Sequence, residues 1–154
     1  MTSNTKMKIY FGSDHAGFDL KSTLIEHVRT LGHEVEDLGP YEYTDGDDYP
    51  DYIIPVAKSV AEDPESLGIV IGGSGQGEAM AANKVEGIRA AVYYGGSFDI
   101  PHLAREHNNA NILSIGARFI VEDEAHQAVE IFHKTPFSED ERHVRRLSKL
   151  ELKS

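Results

Sequence analysis

The sequence predicts an α/β fold, a three-layer αβα Rossmann-like sandwich with a five-stranded parallel sheet. Two observations predict it. Five short apolar runs alternate with stretches of helical spacing along the chain. The runs are apolar throughout instead of at every second position, the mark of parallel strands covered on both faces. The 154 residues suit one domain, 1–154, able to bury roughly 70% of the unfolded chain's surface.

The first strand is Lys8-Ile9-Tyr10-Phe11-Gly12. Phe18, Leu20, Leu24, Ile25, Val28 and Leu31 recur at helical spacing, which predicts a helix from about 17 to 31, stopped by Gly32. A second strand is expected over 33–38. The stretch Gly39–Pro50, rich in Tyr and Asp, is long for a connector and reads as a functional loop. A helix is predicted over 51–62, with Pro55 confined to its first turn or the start displaced beyond it. Gly68–Gly72 is the third strand, 77–85 a helix and Ile88–Tyr93 the fourth strand. A helix over 98–107 takes Ser97 as N-cap. Ile112–Ile115 is the fifth strand, followed by a helix over 122–134. Ser138-Glu139-Asp140-Glu141 reads as a capping box that opens a last helix over about 139–151.

Composition removes several classes of function. Fifteen Lys and Arg against 26 Asp and Glu leave a formal net charge of -11, which repels a phosphate backbone and argues against general nucleic-acid binding. There is no cysteine, so disulfides, thiolate catalysis, Fe–S clusters and Cys-type zinc sites are excluded. His15, His102 and His107 could supply metal ligands, but without cysteine or an H-E-x-x-H spacing a metal is not expected. The polar start Met1–Lys6 has no apolar signal core, and no apolar run approaches the roughly 20 residues of a membrane span, so a cytoplasmic protein without membrane contact is expected.

Ligands in such folds bind beyond the carboxyl ends of the strands. Three stretches fall there: Gly12-Ser13-Asp14-His15-Ala16-Gly17, Gly72-Gly73-Ser74-Gly75-Gln76-Gly77-Glu78 and Gly116-Ala117-Arg118. A fourth polar stretch, Arg105-Glu106-His107-Asn108-Asn109, instead closes a helix, and the last helix can add Arg142, His143, Arg145 and Arg146. The glycine loop is the strongest signal, because successive glycines ahead of a helix let backbone N–H groups converge on an anion. It is not a dinucleotide fingerprint, whose G-x-G-x-x-G follows the first strand, nor a P-loop, since no Lys follows until Lys84.

Glu78, in the first turn after the glycines, reads either as a helix-dipole partner or as a general base beside an oxyanion cradle. Asp14 reads as a helix cap or a site carboxylate, and His107-Asn108 as a helix end or a site pair. Arg142 and Arg146 share one helix face, either solvated and paired with Glu139 and Asp140 or holding a phosphate. Val144, Leu147 and Leu150 mark that helix's apolar face.

Seven stretches together, G-S-D-H-A-G (12–17), D-Y-P-D-Y (48–52), I-G-G-S-G-Q-G-E (71–78), A-A-N-K-V-E-G-I-R-A (81–90), R-E-H-N-N-A-N (105–111), G-A-R (116–118) and E-R-H-V-R-R (141–146), resemble the type B ribose-5-phosphate isomerases and the related galactose-6-phosphate isomerase subunits. The resemblance implies an aldose–ketose isomerase of the pentose phosphate pathway, interconverting ribose 5-phosphate and ribulose 5-phosphate through ring opening and a cis-enediolate. It implies Glu78 as the base between C1 and C2, with the backbone of Gly73, Ser74, Gly75, Gln76 and Gly77 holding the enediolate oxygens and the Ser74 hydroxyl moving protons between them. His107, aided by Asp14, would open the furanose ring, with His143 a second candidate. His15, Arg142 and Arg146 would hold the phosphate, Asn108 and Arg118 would complete the sugar site, and Tyr49 would lie at its edge. The family works without metal or organic cofactor, as a dimer or tetramer whose sites are built from two chains, with the C-terminal helix at the subunit interface. One branch carries a cysteine base at the position of Gly72; Glu78 matches the other branch, of actinobacterial type. Two alternatives remain: a six-carbon phosphosugar such as allose or galactose 6-phosphate as substrate, or a phosphosugar-binding module without catalysis.

Overall fold

The computed structural model describes residues 6–151; the amino-terminal stretch 1–5 and the far end of the domain lie outside the described residues. The elements alternate as expected: β1 (Lys8–Ser13), α1 (Phe18–Thr30), β2 (Glu34–Asp37), α2 (Pro50–Glu62), β3 (Leu67–Gly72), α3 (Gln76–Asn83), β4 (Ala90–Tyr93), α4 (Asp99–Glu106), β5 (Ile112–Gly116), α5 (Glu122–Lys134) and α6 (Glu141–Leu150). The five strands form one sheet in the order β2-β1-β3-β5-β4, every pairing parallel.

Each central strand supplies apolar side chains to both faces, and these build two cores. Ile9 and Phe11, Ile69 and Ile71, Leu113 and Ile115 meet Leu24 and Val28 of α1 and Ala125, Val129 and Phe132 of α5. On the other face Val70 and Ile112 meet Ile53, Val56 and Val60 of α2 and Ala82 of α3. That double burial is why the strands read as unbroken apolar runs. β2, Glu34-Val35-Glu36-Asp37, departs from the pattern because it is an edge strand with charged residues turned to solvent.

Three local expectations are corrected. Pro55 lies in the second turn of α2, which begins at Pro50 and runs through it. Pro55 is exposed, so the carbonyl that its missing N–H leaves unpaired can be met by water. The last helix starts at Glu141 with Asp140 as its cap, whose side chain accepts the Arg142 N–H at 2.9 Å. Ser138 instead accepts the N–H of Asp140 at 3.1 Å, and Glu139 takes a positive φ of 60°, which cannot be a helical position. Similarly, the cap position of α4 is Phe98, while the Ser97 hydroxyl accepts the Asp99 N–H at 3.0 Å.

Candidate active site

β1 and β3 are neighbours in the sheet, yet their following connections leave in opposite directions, which opens a crevice between the two loops. Asp14 lies on its floor. Its backbone N–H donates to the Ile71 carbonyl at 3.1 Å, and its Oδ1 accepts the Gly17 N–H at 2.9 Å. Asp14 therefore does not cap α1, whose cap position is Gly17 and takes no side-chain acceptor; its side chain holds the turn that leads into the helix, and its carboxylate also faces Glu78.

The glycine loop is tied to β5 by its carbonyls. Ala117 and Arg118 donate backbone N–H groups to Gly72 and Gly73 at 2.8 and 3.0 Å. The buried Ser114 hydroxyl donates to the Gly75 carbonyl at 2.7 Å. Across each planar peptide the next N–H points opposite to its carbonyl, so the amides of Gly73, Ser74 and Gln76 turn away from β5. Gly75 is the cap of α3 in the left-handed region, φ 80°, where a side chain would be strained. The Ser74 hydroxyl accepts the Gln76 N–H at 3.2 Å.

Glu78 is 4% exposed. A Cβ on Gly72 would fall on the Glu78 carboxylate, so this carboxylate occupies the space that a side chain at the end of β3 would fill. Burial raises its pKa; the Gly75 and Glu78 backbone N–H groups oppose that, and the Asp14 carboxylate adds to it. The result is a carboxylate more basic than usual, beneath an array of amide donors. Tyr49 and Arg118 cover the loop: the Tyr49 hydroxyl lies 2.7 Å from where a Gly77 Cβ would stand, and the Arg118 guanidinium carbon 3.1 Å from the same point on Gly73.

His15 lies half-buried at the entrance. Asp47 accepts both its backbone N–H at 3.1 Å and its Nδ1 at 2.9 Å on one oxygen, and this partner raises the imidazole pKa. The loop carrying Asp47 is rooted by Lys21, 1% exposed, which donates to Asp37 and to the Pro40 carbonyl, each at 2.7 Å.

The remaining expected residues lie elsewhere. α4 descends from the carboxyl end of β4 to the amino end of β5, so His107 and Asn108 sit at the opposite edge of the sheet from Glu78. The six residues of β3, at about 3.3 Å each, set a separation on the order of 20 Å. α6 stays with this second group. His143 stacks on His107 with ring centroids 4.3 Å apart and planes at 20°, and burial and His107 lower its pKa. Arg142 pairs with Asp140 at 3.1 Å and remains largely exposed, as does Arg146. Two groups thus stand on one chain: Asp14, His15, Tyr49, the glycine loop, Glu78 and Arg118 at one edge, and His107, Asn108, Arg142, His143 and Arg146 at the other. His15, His102 and His107 do not converge, and no cluster of three His, Asp or Glu suited to a metal occurs among the described residues. Asp47, Lys21 and Ser114 carry no local motif; only the acidic loop as a whole stands out in the sequence.

The fold and the crevice define a doubly wound α/β protein whose switch point brings together a glycine loop and a buried carboxylate. Residues 9–150 match the family described as Ribose/Galactose Isomerase. The chain is 48% identical over 141 residues to ribose-5-phosphate isomerase B of Mycolicibacterium paratuberculosis, covering 92% of this chain and 87% of that one. It superimposes on the crystal structure of ribose-5-phosphate isomerase B from Mycoplasma genitalium with bound ribulose-5-phosphate, with a TM-score of 0.89 and 41% identity over 94% of this chain and 93% of the other. The type B enzyme of Trypanosoma cruzi matches with a TM-score of 0.89 and 35% identity, over 96% and 95% of the two chains. The chain belongs to the ribose/galactose isomerase family, among its type B ribose-5-phosphate isomerases.

Proposed function

We propose that this protein interconverts ribose 5-phosphate and ribulose 5-phosphate by moving one proton between C2 and C1. The observation that carries the proposal is the Glu78 carboxylate, buried beneath the glycine loop with its basicity raised. A carboxylate there removes the C2 proton of the open-chain aldose while loop amides receive the charge that builds on the carbonyl oxygen. The Ser74 hydroxyl passes a proton between the two enediolate oxygens, and protonated Glu78 returns its proton to C1. The relatives named for this activity cover nearly their whole length with this chain, which favours the five-carbon substrate.

His107 acts as the acid that opens the furanose, with the neutral His143 ring as its stacking platform. His15, Arg142 and Arg146 hold the phosphate, and Asn108 and Arg118 bind the sugar. Since the two groups stand at opposite edges of one chain, a complete site is assembled from two chains, with α6 at their interface. The exposed Val144 and Leu150 of α6, 48% and 62% accessible, with Ile100 and Leu103 of α4 supply apolar surface for that contact. The reaction belongs to the pentose phosphate pathway in the cytoplasm; among the described residues no helix is long and apolar enough to cross a membrane.

The test is proton exchange in D₂O followed by NMR. The wild type should wash solvent deuterium into the sugar during turnover. Glu78→Gln should fold normally and lose about 10²–10⁴-fold in turnover together with the wash-in. Near-normal activity of that variant would reject Glu78 as the base, and binding of the phosphosugar with neither exchange nor product would identify a binding module.

A further inference from the structure

We propose that Asp47 is the positioning residue of the phosphate subsite: it fixes the His15 ring and makes the charged form of that ring the only form able to hold an anion. The proposal rests on the reading of His15 as a phosphate ligand.

The geometry determines the proton arrangement. Asp47 Oδ1 lies 2.9 Å from His15 Nδ1 and 3.1 Å from the backbone nitrogen of the same residue. Both bonds converge on one oxygen, which fixes the main chain and the ring of His15 together. An ionised carboxylate only accepts, so Nδ1 must carry a hydrogen. Neutral imidazole has one N–H, and Asp47 takes it. The outward Nε2 of a neutral His15 would then present a lone pair, which repels a phosphate oxygen. Only imidazolium, with both nitrogens protonated, can grip Asp47 through Nδ1 and donate to phosphate through Nε2.

The charges around the ring favour that state. The Asp47 side chain is only 5% exposed, and its second oxygen, Oδ2, is buried without a partner. A carboxylate so placed needs a cation beside it. Asp14, on the same loop as His15, and Asp45, with Oδ1 4.0 Å from Nε2, act in the same direction. Tyr43 meets the ring edge-on at 6.1 Å and contributes no charge while its phenol is protonated. Burial opposes these carboxylates but is the smaller influence than the Asp47 bond. Asp47 lies 32 residues from His15 on the loop braced by Lys21, so that loop sets the pH range over which the subsite holds an anion.

Two measurements test this on the full chain. The first follows the His15 ring proton by NMR against pH. In the wild type its midpoint should lie above the ordinary value of about 6.5, and in Asp47→Asn, which keeps an oxygen acceptor but not the charge, it should fall. A wild-type midpoint at or below the ordinary value, or no change in the variant, overturns the proposal. The second follows sulfate binding by calorimetry, sulfate being a dianion throughout the range. Asp47→Asn should match the wild type within about twofold at pH 5.5 and bind up to roughly tenfold more weakly at pH 7.5, where an ordinary imidazole is about nine-tenths neutral. Equal weakening at both pH values overturns the proposal. A His15→Gln control that binds sulfate as tightly as the wild type would reject His15 as a phosphate ligand, while the NMR midpoint still decides the role of Asp47.

Discussion

Glu78 meets two demands at one position. As the third residue of α3 it complements the helix amino terminus, its carboxylate taking the Gly75 N–H; as a buried acid facing Asp14 it is more basic than an ordinary carboxylate. The structural reading of this residue holds, and the same placement leaves it able to serve as the base proposed for the reaction. Asp14 instead holds the turn before α1 through the Gly17 N–H and faces Glu78. The His107–His143 pair was not resolved by sequence, since both are histidines at polar helix ends. Their surroundings differ: His143 is 8% exposed and its charged form is disfavoured. An experiment follows from the role proposed for His107. His107→Ala is expected to lower kcat/KM by about 10²–10⁴-fold in both directions alike, since the equilibrium fixes their ratio, while exchange of the C1 hydrogen of ribulose 5-phosphate with D₂O, which needs no ring step, should be largely kept. Loss of that exchange in step with turnover would assign ring opening to another group.

Element boundaries were legible to within one or two residues wherever apolar periodicity was strong, as in α1 and α5. They were less so where one residue type serves two conformations. Pro55 does not end α2, because the exposed face tolerates a missing N–H, and Ser138 does not cap α6, because Asp140 stands nearer with a free acceptor. The loop between β2 and α2 could be recognised as functional by its length, but not by what holds it: Lys21 is 16 residues from Asp37, and no local pattern marks an ammonium that will be buried. Removing this anchor should unfasten the element. Lys21→Met leaves the Pro40 carbonyl and Asp37 short of a donor and is expected to lower stability by about 2 kcal/mol. It should raise KM for the phosphosugar more than it lowers kcat, because Glu78 is untouched. A lowered melting temperature with unchanged KM would limit Lys21 to stability.

At the scale of the molecule, the arrangement of layers could be read directly, but the placement of the two residue groups at opposite edges of the sheet depends on where α4 ends in space. If two chains complete each site, chains carrying Glu78→Gln and chains carrying His107→Ala should rescue each other. After co-refolding in equal amounts, half the dimers are mixed with one intact site in two, which gives roughly a quarter of wild-type activity. Mixed dimers, demonstrated by mass, that remain inactive would mean that each chain works alone. A second property belongs to the whole fold. His133, on the buried side of α5, leaves both ring nitrogens unpaired beside His33, and burial lowers its pKa to about 4. The unfolded chain therefore binds this proton more tightly than the native one below about pH 6.5. Stability should be full above that value and decline by on the order of 2–3 kcal/mol as the pH falls to 4. His133→Leu should flatten this decline in melting temperature against pH; an unchanged slope would place the acid sensitivity elsewhere.

The glycine at position 72 also constrains how this enzyme can change over time. Any side chain there would compete with Glu78 for one small volume. A base carried by the end of β3 and a base carried by α3 are therefore mutually exclusive tenants of the crevice. Introducing cysteine at 72 first produces a collision, and shortening Glu78 first removes the base proposed for the reaction. A lineage passing from one arrangement to the other must make both changes nearly together, so the two chemistries are separated by a valley of inactive intermediates despite a shared backbone.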